Sequence, residues 1–367
     1  MPLATTAGSS TSSRPKLLVA ASGTGGHLFP ALATVEQLPD YDIEWLGVPD
    51  RLETQLVPDR YSLHTIAVTG FQQRLGLGSL KIFSRLVGSI LQVRQLLRQG
   101  QFQGVFTTGG YIAAPAILAA RSLGLPVILH ESNLLPGKVT RWLSPFCRAV
   151  AIGFTDSAQY LPRAQTVHVG TPVRSQFRSA LAESQPLNLP IPDGAPLIVV
   201  VGGSQGAVAV NRLVRQCAPA WFDAGIWVVH LTGESDPEAK SLSHPQYLSL
   251  PFYGDMAGIL QRANLVISRA GAGTLTELAV TQSPAILIPY PYAAEDHQTY
   301  NAKAFAQAGA ALLFQQNELT ADLLQSKVLY LLQSPDVLGQ MAEAMGKLAI
   351  VDSAEQLADL IQTLIKI

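Results

Sequence analysis

Short runs of apolar residues alternate along the chain with longer segments in which apolar residues recur at helical spacing. Continuous apolar runs bounded by turn residues are typical of strands that are buried on both faces of a parallel sheet. The helical segments between them would cover those faces, so the pattern predicts an α/β fold with doubly wound parallel sheets. The predicted strands are residues 16–21, 43–48, 105–108, 127–130 and 150–154 in the first half, and 197–201, 226–231, 265–268 and 285–289 in the second.

One arrangement occurs twice. The segment KLLVAASGTGGH (16–27) and the segment PLIVVVGGSQGA (196–207) each contain a strand, a glycine turn and the start of a helix, half a chain apart. Two doubly wound domains follow from this repeat. We place their boundary in 172–196, because 187–196 is rich in proline and turn residues. The predicted units are a disordered tail (1–15), a first domain (16–172) and a second domain (173–352).

The C-terminal segment 353–367 has apolar residues spaced as on one face of a helix. Such an amphipathic helix needs a surface to pack on, and we expect it to return to the first domain. Elsewhere, the charge-free stretches are interrupted by glycine, proline or polar residues, and the apolar run near the N-terminus is too short for a signal peptide. The sequence therefore predicts a soluble, cytoplasmic chain.

The distribution of charged residues along the chain adds a second feature to the predicted fold. The 367 residues include 25 Lys and Arg against 26 Asp and Glu, a formal net charge of −1. Between Arg60 and Val150, however, ten basic residues accompany a single acid, Glu131, so this basic window carries +9 and the rest of the chain −10. A local field of one sign predicts an anionic partner at one end of the molecule. The hydrophobic fraction of 48% excludes a mainly disordered chain, and two isolated cysteines exclude a disulfide scaffold.

Three glycine-rich loops follow predicted strands: 23–27, 202–207 and 269–277. Glycine lets the backbone approach a bound group, and a helix N-terminus offers free N–H groups to an anion. The first loop lacks the dinucleotide fingerprint, because Leu28 replaces a glycine, and no Walker lysine follows. Each loop alone also fits a purely structural turn, with Ser204 as a helix cap and Glu277 in a first helical turn complementing the dipole. Together the loops favour a nucleotide crevice.

Two residues are candidate bases. His27 ends the first glycine loop, where a neutral imidazole could take a proton from an attacking hydroxyl, or could simply face an anion. Glu131 is the second candidate, with an ion pair to a nearby arginine as the alternative. The one D-x-D pair, Asp40 and Asp42, lies at the wrong end of a strand for a ligand, and the seven histidines show no i, i+4 pair. We therefore predict no metal and no cofactor.

Seven motifs, taken together, resemble the MurG-type N-acetylglucosaminyltransferases of peptidoglycan synthesis, in glycosyltransferase family 28. The motifs are GTGGHLFPALA (23–33), GGYIAAPA (109–116), HESNLLPG (130–137), GTPVR (170–174), GGSQGA (202–207), RAGAGTLTE (269–277) and DHQTYNA (296–302). The resemblance runs in order from residue 16 to the end. It implies a GT-B fold, two Rossmann-like domains facing across a cleft. It also implies an inverting, metal-independent enzyme that moves GlcNAc from UDP-GlcNAc to the MurNAc 4-hydroxyl of undecaprenyl-diphospho-MurNAc-pentapeptide.

The same resemblance implies roles for individual residues. His27 would be the base, Arg174 and Ser204 would contact the diphosphate and nucleotide, Tyr253 would stand beside uracil, and Gln298 would select the GlcNAc hydroxyls. The implied UDP-GlcNAc contacts are Thr24, Gly25, Gly26, Asn133, Arg174, Ser204, Tyr253, Ala272, Gly273, Thr274, Leu275, Thr276, Glu277 and Gln298. Ser132 and Thr140 stand where family members often have Gln and Asn, which affects the details expected on the acceptor side.

The same resemblance suggests a role for the basic window. Apolar residues that interleave with cations suit docking on an anionic leaflet, although an ordinary core helix with a solvated basic face has the same pattern. The predicted docking residues are Arg74, Leu75, Lys81, Ile82, Phe83 and Arg85. We expect a peripheral enzyme of cell-wall biogenesis, cell shape and cell division on the cytoplasmic face of the inner membrane, with no nucleic-acid partner.

Three rival functions remain at the level of the sequence. A related GT-B transferase could glycosylate a diacylglycerol-type lipid. A UDP-GlcNAc 2-epimerase shares the two-domain architecture but leaves the basic window unexplained. A non-catalytic sugar-nucleotide-binding module would tolerate the loss of His27.

Overall fold

The computed structural model describes residues 14–49, 51–67, 78–180, 187–202 and 207–365. Two sheets, each entirely parallel in these ranges, form two α/β domains. Side chains alternate between the two faces of each sheet, and helices cover both faces. In the first sheet Leu17 and Val19 lie in one buried cluster and Leu18 and Ala20 in another, on the opposite face. The predicted α/β class with two doubly wound domains is confirmed.

The first sheet has the order β3-β2-β1-β4-β5-β6-β7. The second has the order β10-β9-β8-β11-β12-β13. In each sheet the order reverses beside the first strand, and such switch points are where open α/β sheets bind ligands. The strands are β1 (Lys16–Ala20), β2 (Asp42–Gly47), β3 (Ser62–Thr65), β4 (Gly104–Thr107), β5 (Val127–Glu131), β6 (Ala149–Ile152), β7 (Thr166–His168), β8 (Leu197–Val201), β9 (Trp227–Leu231), β10 (Tyr247–Leu250), β11 (Leu265–Ser268), β12 (Ala285–Leu287) and β13 (Ala311–Leu313).

All nine predicted strands are present, with ends shifted by up to two residues. The four strands that the sequence did not predict are β3, β7, β10 and β13, the two edges of each sheet. They are three or four residues long, and most of their residues are only half buried. An edge strand has a neighbour on one side only, so it lacks the continuous apolar run that identifies a central strand.

Helices connect the strands and cover the sheets. The first begins at Gly25, inside the glycine loop, and contains Pro30, whereas the sequence predicted a start near Pro30. The carbonyl of Thr24 already accepts from the amides of His27 and Leu28, which closes the first turn early. The helices are α1 (Gly25–Val35), α2 (Glu53–Leu56), α3 (Gly78–Gln99), α4 (Ala113–Ser122), α5 (Lys138–Leu143), α6 (Ser175–Ala180), α7 (Val208–Asp223), α8 (Met256–Arg262), α9 (Ala272–Val280), α10 (His297–Gln307), α11 (Ala321–Leu332), α12 (Pro335–Gly346) and α13 (Ser353–Leu364).

The C-terminal helix α13 lies against the first domain. Leu357 and Ile361 are buried in the cluster that includes Leu17 and Leu28. Ile365 fills the space above Gly104, where an added Cβ would come within 2.4 Å of its Cδ1. The chain therefore crosses between the domains twice.

The two crossings touch. Gly170 has a φ of +78°, and a Cβ there would lie 2.9 Å from the Cβ of Ile350, so glycine suits both the backbone and the space. The two connections between the domains are therefore closely packed against each other at this point. Within the described ranges, no helix is both long enough and apolar enough to span a membrane.

Candidate active site

His27 lies at the switch point of the first sheet, between the ends of β1 and β4. Its Nδ1 is 2.7 Å from the carbonyl oxygen of Thr108, and the Thr108 hydroxyl donates to the His27 carbonyl. A carbonyl only accepts, so Nδ1 carries a proton, and in the neutral imidazole Nε2 presents the lone pair. Nε2 has no hydrogen-bond partner in the described part of the chain. A Cβ on Gly110 would lie 3.4 Å from Nε2, so the absent side chain keeps this nitrogen accessible.

Glu131 holds the loop that follows β5. The buried carboxylate accepts from the amides of Asn133 and Gly137, from the Asn133 side chain and, at 2.7 Å, from the Thr140 hydroxyl. An arginine is not among its hydrogen-bond or ion-pair partners in the described residues. Both oxygens are occupied by donors from its own loop, which is the arrangement of an anchor and leaves His27 as the residue with a free lone pair.

Glu53 was not identified from the sequence, and nothing in its spacing marks it. It is fully buried at the start of α2 and accepts from the Ser22 hydroxyl, the Gly23 amide at 3.1 Å and the Val48 amide at 2.7 Å. A Cβ on Gly47 would collide with its side chain. The carboxylate thereby fixes the loop that leads into the first turn of α1, where His27 lies.

Helices α1 and α9, which belong to different domains, are in contact with each other. Among the described residues, the first amides of α1 (Gly25, Gly26) and of α9 (Ala272, Gly273, Thr274) have no acceptor. Free amides at a helix N-terminus suit an anion. Residues 203–206 of the second glycine loop, with the predicted contact Ser204, lie outside the described residues.

Arg174 and Glu277 form an ion pair at the same place. Nη2 of Arg174 lies 2.9 Å from Oε1 of Glu277, and the guanidinium lies over the rings of Phe29 and Phe177. Burial raises the pKa of the Glu277 carboxyl, and Arg174 partly counteracts this. The prediction that Glu277 falls in the first helical turn is wrong. The helix begins at Ala272, which puts Glu277 in the second turn, beyond the reach of the N-terminal dipole.

Gln298 lies beside the third glycine loop. Its side-chain oxygen accepts from the amides of Ala270 and Tyr290, so the side-chain amide group is left for a ligand. Tyr253 is half buried after β10, and burial raises the pKa of its hydroxyl. Leu275 is buried, whereas Thr276 donates to the Ala272 carbonyl.

Asn301 connects the domains, a role that the sequence did not assign although the residue lies in the last motif. It is fully buried in α10. Its oxygen accepts from the Leu134 amide at 2.9 Å, and its amide donates to the Asn133 side-chain oxygen and to the Ala270 carbonyl. The Asn301 side chain thus bridges the loop anchored by Glu131 and the third glycine loop of the other domain.

Arg269 is buried without an acidic partner in the described residues. It donates to the carbonyls of Ile288 and Pro289 and to the Gln316 side chain, and burial lowers its pKa to about 10. It therefore remains charged at neutral pH and draws together the ends of β11 and β12.

The predicted membrane-docking residues are only partly described. Arg74 and Leu75 lie outside the described residues, and Lys81, Ile82 and Phe83 belong to α3 without described side chains. Arg85, on the same helix, is exposed. In the described ranges no group of three or more His, Cys, Asp or Glu side chains could hold a metal ion.

Comparison with known proteins gives a consistent result. The sequence model of the glycosyltransferase family 28 N-terminal domain matches residues 17–152, and that of the C-terminal domain matches residues 197–363. The chain is 67% identical over 351 residues to a Nostoc punctiforme protein, covering 96% of this chain and 98% of the relative. That protein is named UDP-N-acetylglucosamine--N-acetylmuramyl-(pentapeptide) pyrophosphoryl-undecaprenol N-acetylglucosamine transferase. A Trichormus variabilis protein of the same name is also 67% identical, with the same coverage.

Among solved structures, the chain is similar to MurG of Acinetobacter baumannii. The TM-score is 0.76 at 30% sequence identity, and the match covers 95% of this chain and 99% of that one.

Proposed function

The chain belongs to glycosyltransferase family 28, and from that premise we propose that it converts lipid I to lipid II. It transfers GlcNAc from UDP-GlcNAc to the 4-hydroxyl of MurNAc in undecaprenyl-diphospho-MurNAc-pentapeptide, a step of peptidoglycan synthesis. The observation that carries the proposal is Nε2 of His27, without a partner among the described residues, at the switch point of the first sheet and on a helix that contacts α9 of the second domain.

The chemistry is a single displacement. The acceptor hydroxyl attacks C1 of GlcNAc as the bond from C1 to the diphosphate breaks, through an oxocarbenium-like state, which inverts the anomeric carbon. Nε2 of His27 takes the hydroxyl proton, because the Thr108 carbonyl holds Nδ1 protonated. The amides at the start of α9 and the Arg174 guanidinium stabilise the negative charge on the departing UDP. The Glu277 carboxylate accepts hydrogen bonds from the ribose hydroxyls of UDP.

The base is tested with His27→Ala. We expect turnover to fall by about 10²–10⁴-fold, the usual contribution of a general base, while UDP-GlcNAc binding persists. His64→Ala is the control, because this histidine lies on the edge strand β3 and pairs with Glu44 of β2. Near-normal turnover of the His27 variant would remove the residue from the mechanism.

The substrate assignment is tested with labelled UDP-GlcNAc and lipid I, with UDP-Glc as competitor. Label should appear in the lipid only when lipid I is present, and UDP-Glc should compete weakly. Conversion of UDP-GlcNAc without an acceptor would support the epimerase instead, and binding without turnover would support a non-catalytic module.

The proposal extends to the domains and the membrane. Residues 16–172 with α13 would hold the acceptor, and residues 173–352 would hold UDP-GlcNAc. The predicted docking residues, of which Arg85 is exposed, would dock peripherally on the anionic cytoplasmic face of the inner membrane. Flotation with vesicles should depend on anionic lipid, and flotation that is independent of lipid charge would contradict the docking surface.

A further inference from the structure

The short helix α5 presents two cations and an indole to solvent at the rim of the cleft. Lys138 is exposed, and Trp142 is 70% exposed although it is one of the largest apolar side chains. Lys138 is three residues from Arg141 and four from Trp142, so it neighbours each of these side chains on the helix surface. Neither the fold nor the mechanism above uses them.

Arg141 has an unusual partner. Within the described chain its ion pair is with Glu295 of the second domain, whose two carboxylate oxygens both lie 2.6 Å from Nη2. The pair is partly solvated, with side-chain exposures of 28% and 34%. Partly exposed pairs of single charges are weak, so a doubly charged anion can compete for the guanidinium.

The backbone that carries Glu295 is strained. Glu295 and Asp296 are consecutive non-glycine residues in the left-handed region, with φ of 52° and 57°. Such residues persist where surrounding contacts hold them. The ion pair with Arg141 and the bond from the Thr299 hydroxyl to Asp296 are those contacts. Exchange of Glu295 for another anion would let this segment relax.

Helix α5 begins beside the base. A Cβ on Gly109 would lie 3.7 Å from Cε1 of His27 and 3.7 Å from Oγ1 of Thr140, the residue before Arg141. In the proposed reaction the 4-hydroxyl of MurNAc lies at Nε2 of His27. The diphosphate is attached at the opposite side of the same sugar ring, and the polyprenyl chain follows it.

We propose that Lys138, Arg141 and Trp142 form the subsite for the polyprenyl diphosphate of the acceptor. Arg141 exchanges Glu295 for the diphosphate, Lys138 supplies a second cation, and the Trp142 indole packs on the first isoprene units. This assignment rests on the proposed function, since it names the binding site of that acceptor. The diphosphate of UDP-GlcNAc has its own partners, the α9 amides and Arg174.

Arg141→Ala tests the subsite in transfer assays with a short-chain, water-soluble lipid I analogue. We expect the acceptor KM to rise by about ten- to a hundredfold, the effect of losing a charged hydrogen bond, with the KM for UDP-GlcNAc unchanged. Arg212→Ala is the matched control, an exposed arginine paired with Glu238 in the second domain. A loss that appears only with vesicle-bound acceptor would mean that these cations dock on lipid headgroups, and would overturn the subsite.

Two further variants distinguish a ligand site from an ion pair that only holds the two domains together, which we call a latch. Glu295→Gln should lower the acceptor KM, because Arg141 is released, whereas a latch predicts the same defect as Arg141→Ala. The charge reversal Arg141→Glu with Glu295→Arg restores the pair but not the cation on α5. It should remain defective if the subsite is correct, and recovery would overturn it.

Binding of geranyl diphosphate, followed through quenching of tryptophan fluorescence, tests the site without catalysis. We expect saturable binding to the wild type that is lost in Arg141→Ala and whose quenching signal is reduced in Trp142→Phe. Normal transfer to lipid I without this binding contradicts the subsite alone. Binding of geranyl diphosphate without any transfer to lipid I contradicts the proposed function alone.

Discussion

The loops of the two domains are anchored by buried groups of opposite charge. In the first domain Glu53 and Glu131 are buried, and their partners in the described residues are amides and hydroxyls. In the second domain the anchor is Arg269, buried among carbonyls, and a second buried arginine, Arg215, pairs with Asp236. A carboxylate only accepts and a guanidinium only donates, so each draws together backbone groups of one kind.

The charge of the buried anchor decides which backbone groups remain available in each domain. The carboxylates of the first domain tie down the amide of Gly23 and the amides around Asn133, which fixes the surroundings of His27. The guanidinium of the second domain ties down carbonyls after β12, while the amides at the start of α9 stay unpaired. A base needs a rigid frame of its own, and a departing diphosphate needs free donors. The choice of anchor leaves the appropriate groups available on each side.

Of the variants that test this difference between the domains, Glu131→Ala should show the largest loss of stability and turnover. Four donors lose their acceptor, and we expect a loss of about 3–5 kcal/mol in the free energy of unfolding, because each buried unpaired group costs about 1–3 kcal/mol and some will recover water. Turnover should fall with it, whereas UDP-GlcNAc affinity should stay within severalfold, because only one of the predicted donor contacts, Asn133, is held by Glu131. Urea unfolding and donor titration measure both. Glu36→Ala, at the exposed end of α1, is the control, and a cost below about 1 kcal/mol would contradict the anchor.

Arg269→Met should produce the reciprocal result. The carbonyls of Ile288 and Pro289 lose their donor, at a cost of about 2–3 kcal/mol. Because Gln298 and the α9 N-terminus adjoin these strand ends, the KM for UDP-GlcNAc should rise while the acceptor KM is unchanged. An equal effect on both substrates would show that the anchors are not specific to their own sides.

Glu277→Gln separates binding from stability. Burial raises the folded-state pKa of Glu277, so the folded protein holds this proton to higher pH than the unfolded chain does. Stability is therefore lost as the pH rises from the unfolded-state pKa through the folded-state pKa, and the amide, which cannot ionise, should leave the melting temperature at neutral pH equal or higher. UDP-GlcNAc affinity of the wild type should weaken as the pH falls through that pKa, and the variant should lack this dependence. A lower melting temperature together with normal affinity would oppose this assignment.

Arg212→Ala should have the smallest effect. Its partner Glu238 is at the surface, and exposed ion pairs contribute little. The urea midpoint and both KM values should be unchanged. A measurable loss would mean that the distinction between buried anchors and surface pairs does not hold in this molecule.

Much of the architecture was predictable from the sequence. The central strands are continuous apolar runs, because both faces of each are buried, and the glycine loops follow them directly. The four edge strands were missed, because burial on one side leaves no such run. The start of α1 and the turn that holds Glu277 were misplaced, since helix ends depend on which carbonyls accept first.

The candidate site divides in the same way. His27 and Glu277 stand in glycine loops next to predicted strands, so residue type and spacing selected them, whereas Arg174 and Gln298 were named only through the family resemblance. Glu53 acts on a loop that is distant in sequence, and no local pattern marks it, whereas Asn301 lies in the last motif but its bonds to the first domain could not be read from that motif.

The sequence by itself determined two doubly wound domains, their order along the chain, the glycine loops and the charge of the basic window, because each follows from the periodicity or composition of neighbouring residues. Only the tertiary structure decided which nitrogen of His27 is free, which acids are anchors and how Arg141 meets Glu295. Those facts depend on pairs of groups separated by up to 154 residues, and such pairs exist only after the sheets have formed and the domains have met.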